Sequence, residues 1–161
     1  MDQNCDIIRS VQEINSAWAK NYLIRKQKLR ENTNRRGKMF IKDVESCIKF
    51  QAEDGTQICE LLHSERDGIN LPYSVAHASL NPGCKSISHR LKSSSEAYYF
   101  LEGEGVIYID SEQARVKPGQ AVIIPPGSWQ HLCNTGTTDL KFLCIVYPFW
   151  RKGDEEVQSI A

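Results

Sequence analysis

The stretch "GQAVIIPPGSWQHLCN", Gly119 to Asn134, decides how the rest of the chain is read. Its "AVII" is a run of apolar, mostly β-branched residues that predicts a short strand. Pro125-Pro126-Gly127 ends that strand sharply, and Gly119 after Pro118 sets a tight turn in front of it. Beyond the turn, period-two alternation sends Gln130 and His131 to opposite faces of the next strand. If Gln130 faces inward, His131 faces outward. A β-bulge after the turn would exchange them, because one extra residue re-aims every side chain that follows.

The same grammar extends from about residue 45 to residue 150. "CIKFQA", "QICELL", "YSVAHASL", "AYYFLEG", "GVIYID" and "LKFLCIVY" are rich in β-branched and aromatic residues. Between them stand the turn formers "EDGT", "NPG", "EGEG", "DSEQ", "KPGQ" and "NTGTTD". Short strands at close, regular spacing predict an all-β sandwich or barrel. Period two also sets His89 and Leu91 on one strand face, and Glu96, Tyr98 and Phe100 on one face of another.

Residues 1–40 read differently, as an N-terminal helical extension. Ile7, Val11, Ile14, Trp18 and Tyr22 step by three or four residues and define one face of an amphipathic helix. A basic run follows, from Arg25 to Lys38. No aromatic residues are interleaved with it, so it reads as a solvated face rather than a nucleic-acid arm. Residues 41–150 form the β-barrel domain and 151–161 a polar tail.

Twenty Lys and Arg residues balance twenty Asp and Glu residues, which favours neither nucleic acid nor membrane as a partner. No apolar run approaches a membrane span, and the N-terminus lacks the pattern of a secretory signal. The setting predicted is cytoplasmic. Six cysteines are scattered without a CxxC pair or zinc-like spacing, and they read as structural residues.

Two stretches resemble the paired motifs of the cupin superfamily, double-stranded β-helix barrels. In "GCKSISHRLKSSSEAYYFLEG", Gly83, His89, Glu96 and Gly103 fall on the first motif, and Leu91 stands where a second histidine belongs. In "GQAVIIPPGSWQHLCN", Gly119, Pro125, Gly127 and Asn134 fall on the second, with Gln130 in the histidine position. Asn134 keeps the motif spacing, which argues against a register slip between Gln130 and His131.

The resemblance implies a divalent transition metal (Fe, Mn, Zn, Ni or Cu) held in the barrel by three histidines and a glutamate. Carried over, the ligand set is His89, Glu96 and Gln130, with His131 as the alternate should a bulge re-aim the strand. Glu96 is also a candidate base and Tyr98 a candidate proton donor. The function so implied is binding of a small oxygen-containing molecule, with metal-dependent isomerase, lyase or dioxygenase chemistry. The alternative is a metal-free barrel that binds a small molecule, such as a sugar derivative, without turnover. His63 reads as an exposed loop residue, and His77 as a partly buried strand residue that can reach the pocket. The apolar stripe of the N-terminal segment predicts a homodimer.

Overall fold

The structure, a computed structural model, describes residues 39–159. The N-terminal helical extension predicted for residues 1–40, with its stripe from Ile7 to Tyr22, lies outside the described residues but for Met39 and Phe40.

In chain order the elements are β1 (Phe50–Gln51), β2 (Gln57–Leu62), α1 (Ser64–Asp67), β3 (Ser74–Leu80) and β4 (His89–Leu91). They continue as β5 (Ser95–Glu102), β6 (Gly105–Ile109), β7 (Glu112–Val116), β8 (Ala121–Ile124) and β9 (Gln130–Asn134). β10 (Leu140–Tyr147) and, after a 3-10 turn at Lys152–Asp154, β11 (Glu155–Val157) complete the chain. A six-stranded sheet runs β1-β2-β3-β10-β5-β8 and a five-stranded sheet runs β11-β4-β9-β6-β7. The strand pairs are antiparallel, and the all-β double-stranded β-helix expected from the sequence is what forms.

Alternation carries the core. On β5, Glu96, Tyr98 and Phe100 are buried, while Ala97 is half-buried and Tyr99 exposed. On β10, Leu140, Phe142, Cys144 and Val146 point inward. The rings of Tyr98, Phe100 and Phe142 meet at centroid distances of 6.4, 4.8 and 5.7 Å, close to the offset and edge arrangements that aromatic quadrupoles favour. Phe100 is fully buried, so truncating it to alanine is expected to cost about 3–5 kcal/mol. Gly103 closes this strand at φ +77°, where a Cβ would stand 2.6 Å from the Asp139 carbonyl oxygen. Only glycine fits there.

Two strands lie where the sequence predicts none. β7 begins inside the "DSEQ" turn signal, and its exposed, polar face carries no alternation to read. β11 lies in the stretch read as a polar tail. Its residues pair with β4 in the register Glu155↔Leu91 and Val157↔His89. The Asp154 carboxylate fastens it by accepting from Ser93 N and Oγ and from Ser94 N.

The cysteines are not all unpaired. Cys47 and Cys59 form a disulfide that ties the segment before β1 to the outer side of β2. Cys84 is exposed, Cys133 half-buried and Cys144 buried. His63 is also not a solvent-exposed loop residue. It is 3% exposed, caps α1 through Arg66 N, and contacts the Trp150 carbonyl through Nε2 at 3.0 Å. Its ring packs on Phe149 in a T-shaped arrangement. The chain after β10 covers it, which no local pattern at "LLHSERDGIN" reveals.

Candidate active site

The strand faces set by alternation place the motif residues at one end of the barrel. His89 on β4 and Gln130 on β9 are direct cross-strand partners. Glu96 enters from the opposite sheet, and Gln130 Nε2 donates to its Oε2 at 2.6 Å. Gln130 is 1% exposed, Glu96 7% and His89 6%. The sequence therefore brings His89, Glu96 and Gln130 together, and Tyr98 follows Glu96 inward on β5.

His131 is placed elsewhere. No bulge interrupts β9, and the His131 ring stacks on Tyr108 at 4.4 Å on the other face of the strand. Burial and the nearby Lys85 lower its pKa. His131 is thus corrected from alternate ligand to surface stacking residue. His77 alternates with the inward Ala76 and Ala78 and does not line the cavity.

Hydrogen bonding fixes how His89 presents itself. Its Nδ1 lies 3.0 Å from the Ile87 carbonyl oxygen, which can only accept, so Nδ1 carries the proton in the neutral ring. Nε2 is left with a free lone pair. Asp54 Oδ2 lies 3.6 Å from the same Nδ1, and its carboxylate is held by Thr56 N at 3.0 Å and Thr56 Oγ1 at 2.7 Å.

Burial pushes the Glu96 carboxyl up to about 7, against the opposing pull of His89 and the Gln130 amide. Tyr98 is raised well above its ordinary value by burial and by the Glu96 charge, so it stays protonated as a hydroxyl donor. Burial likewise raises Cys144, which remains a thiol and not a nucleophile.

A cavity of about 100 Å³ opens over these groups. His89, Glu96 and Tyr98 form its polar floor, and Phe50, Ile58, Phe142 and Val146 its apolar wall. Asp54 and Glu155 line it too, and sequence reading missed both. Asp54 lies in the "EDGT" turn, where an aspartate normally caps its own backbone. Glu155 lies in the stretch read as a tail. Its carboxyl is raised, first by burial, despite the attraction of His89.

The donor set does not fit the metal implied by the resemblance. Leu91, 5% exposed, brings no ligand, and Gln130, whose amide N–H serves Glu96, offers only a neutral oxygen, a weaker transition-metal ligand than imidazole. Among the described residues no group of three or more His, Cys, Asp or Glu side chains is gathered as a metal-ligating cluster. The expected Fe, Mn, Zn, Ni or Cu site keeps His89, Glu96 and Gln130 and is one ligand short of the set the resemblance implies, with Leu91 in the fourth place. What remains is a free imidazole nitrogen, a carboxyl balanced near neutrality, and a buried amide oxygen, Gln130 Oε1, without a partner.

Comparison with known proteins agrees with this architecture. The family described as "Cupin domain" matches residues 76–146. An uncharacterised protein of Methanocaldococcus jannaschii is 38% identical over 109 residues, spanning 67% of this chain and 86% of its own. The oxalate-binding protein of Thermotoga maritima is 34% identical over 71 residues, 44% of this chain and 59% of that protein. Among solved structures, a predicted oxalate decarboxylase from Thermotoga maritima superposes with a TM-score of 0.59 at 26% identity, covering 68% of this chain and 99% of that one. The nucleoside dehydratase Pac13 superposes with a TM-score of 0.62 at 20% identity, covering 76% and 93%, a likeness of fold alone. The chain belongs to the cupin superfamily. Among the described residues no helix is long and apolar enough to cross a membrane.

Proposed function

We propose that the barrel is an enzyme that moves a proton on a small polar molecule without a resident metal. Glu96 is the acid–base group. The observation that carries this reading is geometric: a buried carboxyl on the cavity floor beside the free Nε2 of His89, with burial pushing the carboxyl up to about 7. Such a group is present in both protonation states at neutral pH, which is where general acid–base catalysis is efficient. His89 Nε2, a fixed acceptor on the same floor, orients the ligand or shares its proton. Tyr98, held as a hydroxyl, bonds Glu96 and orients that carboxyl toward the ligand. Glu96 takes a proton from the ligand and returns it at a second atom for isomerisation, or to a leaving hydroxyl for elimination.

Oxalate, the ligand named for one relative, is not carried over to this chain. A dianion would meet Asp54, Glu96 and Glu155, and no Lys or Arg is among the described residues lining the cavity. Dioxygenase chemistry, which needs a redox metal, is set aside with the incomplete donor set.

Incubation with a small-molecule extract in D₂O tests the reading. Wild-type protein should place solvent deuterium in, or remove water from, one compound, and Glu96→Gln should bind that compound without converting it. Binding without conversion by the wild type would leave only the non-catalytic binding module.

The homodimer is a further part of this proposal. Tyr99, Leu101, Ile123, Ile145 and Tyr147 are exposed on the outer face of the six-stranded sheet, with Ile123 65% exposed. Contiguous exposed apolar residues on a folded domain favour association.

A further inference from the structure

We infer that the ligand of this cavity enters carrying a protonated amine on a short apolar body. The inference rests on the small-molecule reading above and narrows its substrate class.

The floor is built from hydrogen-bond acceptors whose donors are missing. His89 Nε2 offers a lone pair because Nδ1 is committed to the Ile87 carbonyl. Glu96 receives Gln130 Nε2 and the Tyr98 hydroxyl, and carboxylate oxygens hold lone pairs for more. Asp54 and Glu155 add two more carboxylates on the cavity side.

The donors nearby are almost all used. Thr56 Oγ1 donates to Asp54 and the Trp150 side chain serves Glu155; Ser74 Oγ accepts from Trp150 N, so its single hydroxyl proton is the one neutral donor left at the lining. The Tyr98 hydroxyl is held by Glu96. Arg66 lies beyond the lining, where it pairs with Glu60 and lies over the Trp150 ring at 5.3 Å. Lys152 pairs with Glu53 in solvent.

Buried acceptors left without donors are costly, and crowded carboxylates more so. A carboxylate ligand would add acceptors and negative charge to this set. An alcohol brings one donor and no charge. An ammonium brings three donors and the opposite charge, so it satisfies both deficits at once. The wall then sets the rest of the molecule: Phe50, Ile58, Ala76, Phe142 and Val146 suit a hydrocarbon body and give nothing to bind a second charge.

Three isosteric probes test this on the full chain: n-butylamine, 1-butanol and butyrate, titrated by saturation-transfer NMR and calorimetry at pH 7.5. Butylamine should bind tightest and butyrate should not bind. Glu155→Gln and Asp54→Asn should each weaken butylamine about tenfold while sparing 1-butanol. The ranking of the probes on wild-type protein is decisive even if a variant folds poorly. Butyrate binding as tightly as butylamine would overturn the inference, as would unchanged amine affinity in both folded variants. Equal binding of 1-butanol and butylamine would overturn it while leaving the small-molecule pocket intact. No binding by any of the three would overturn the inference and count against the pocket itself.

Discussion

Replacing Glu96 with glutamine should change how stability depends on pH, because it removes a buried acid whose folded and unfolded states hold protons differently. The Glu96 carboxyl is raised from 4.5 to about 7 in the folded protein, mainly by burial. Between those values the folded state binds more protons than the unfolded state, so unfolding free energy falls as pH rises. Below 4.5 the group is protonated in both states and costs nothing. Above 7 it is ionised in both, and the folded state bears the full cost of a buried charge. With about 1.4 kcal/mol for each unit between the two values, that cost comes to somewhat over 3 kcal/mol. Glutamine keeps an oxygen to accept from Gln130 Nε2 and carries no charge at any pH. The difference in stability between Glu96→Gln and wild type should therefore grow by about 2–3 kcal/mol between pH 5 and pH 8. Glu155 adds a slope of the same sign, since its carboxyl is also raised. His77 and His131, both lowered by burial, act oppositely below their ordinary values. These contributions are common to both proteins and cancel in the difference. Urea denaturation at pH 5, 6, 7 and 8, followed by near-UV circular dichroism, measures it. Parallel curves for the two proteins would refute the argument that burial dominates the protonation of Glu96.

Other perturbations probe the surrounding structure. Asn134→Ala removes donors to the Leu80 and Thr138 carbonyls, each at 2.8 Å, and an acceptor for Gly136 N. Leaving these groups unpaired should cost about 2–3 kcal/mol in chemical denaturation, with no change in ligand affinity. His131→Ala should leave ligand binding unaltered, since the ring lies outside the barrel against Tyr108; a lost ligand would return His131 to the site. Truncation of residues 1–36 should alter the oligomeric state or bring precipitation. Ile123→Asp, on the outer sheet face, should give a folded monomer by light scattering. A dimer of unchanged affinity would place the interface elsewhere.

The barrel was legible because its defining features are local. Glycines after prolines, the Pro-Pro-Gly break and period-two alternation each act within a few residues, and they place His89, Glu96, Tyr98 and Gln130 correctly. The facing of Gln130 and His131 followed from alternation alone, and the spacing of Asn134 correctly argued against a bulge. What the sequence hid depends on chain brought from far away. Glu155 reaches the cavity only because β11 pairs with β4, and the polar stretch "GDEEV" carries no hydrophobic pattern to announce a strand. Asp54 reaches it because the β1–β2 turn folds beside His89, with Ile87 N donating to the Asp54 carbonyl at 2.7 Å. His63 is buried by Phe149 and Trp150, more than eighty residues downstream. The Cys47–Cys59 bond likewise joins positions whose spacing has no signature. The full ligand set implied by the resemblance is reduced for a physical reason legible in the sequence: Leu91 has no donor atom, and Gln130 offers a neutral amide oxygen in place of an imidazole.

The central claim, a cupin floor that works through its own acid–base groups, is tested most directly by metal content. Protein purified without chelator, then equilibrated with Mn, Fe(II), Ni, Cu or Zn and passed through gel filtration, is analysed by mass spectrometry beside His89→Ala. The account predicts well below one equivalent of any metal in either protein. Close to one equivalent in the wild type, lost in His89→Ala, would contradict it and make His89, Glu96 and Gln130 a metal centre after all.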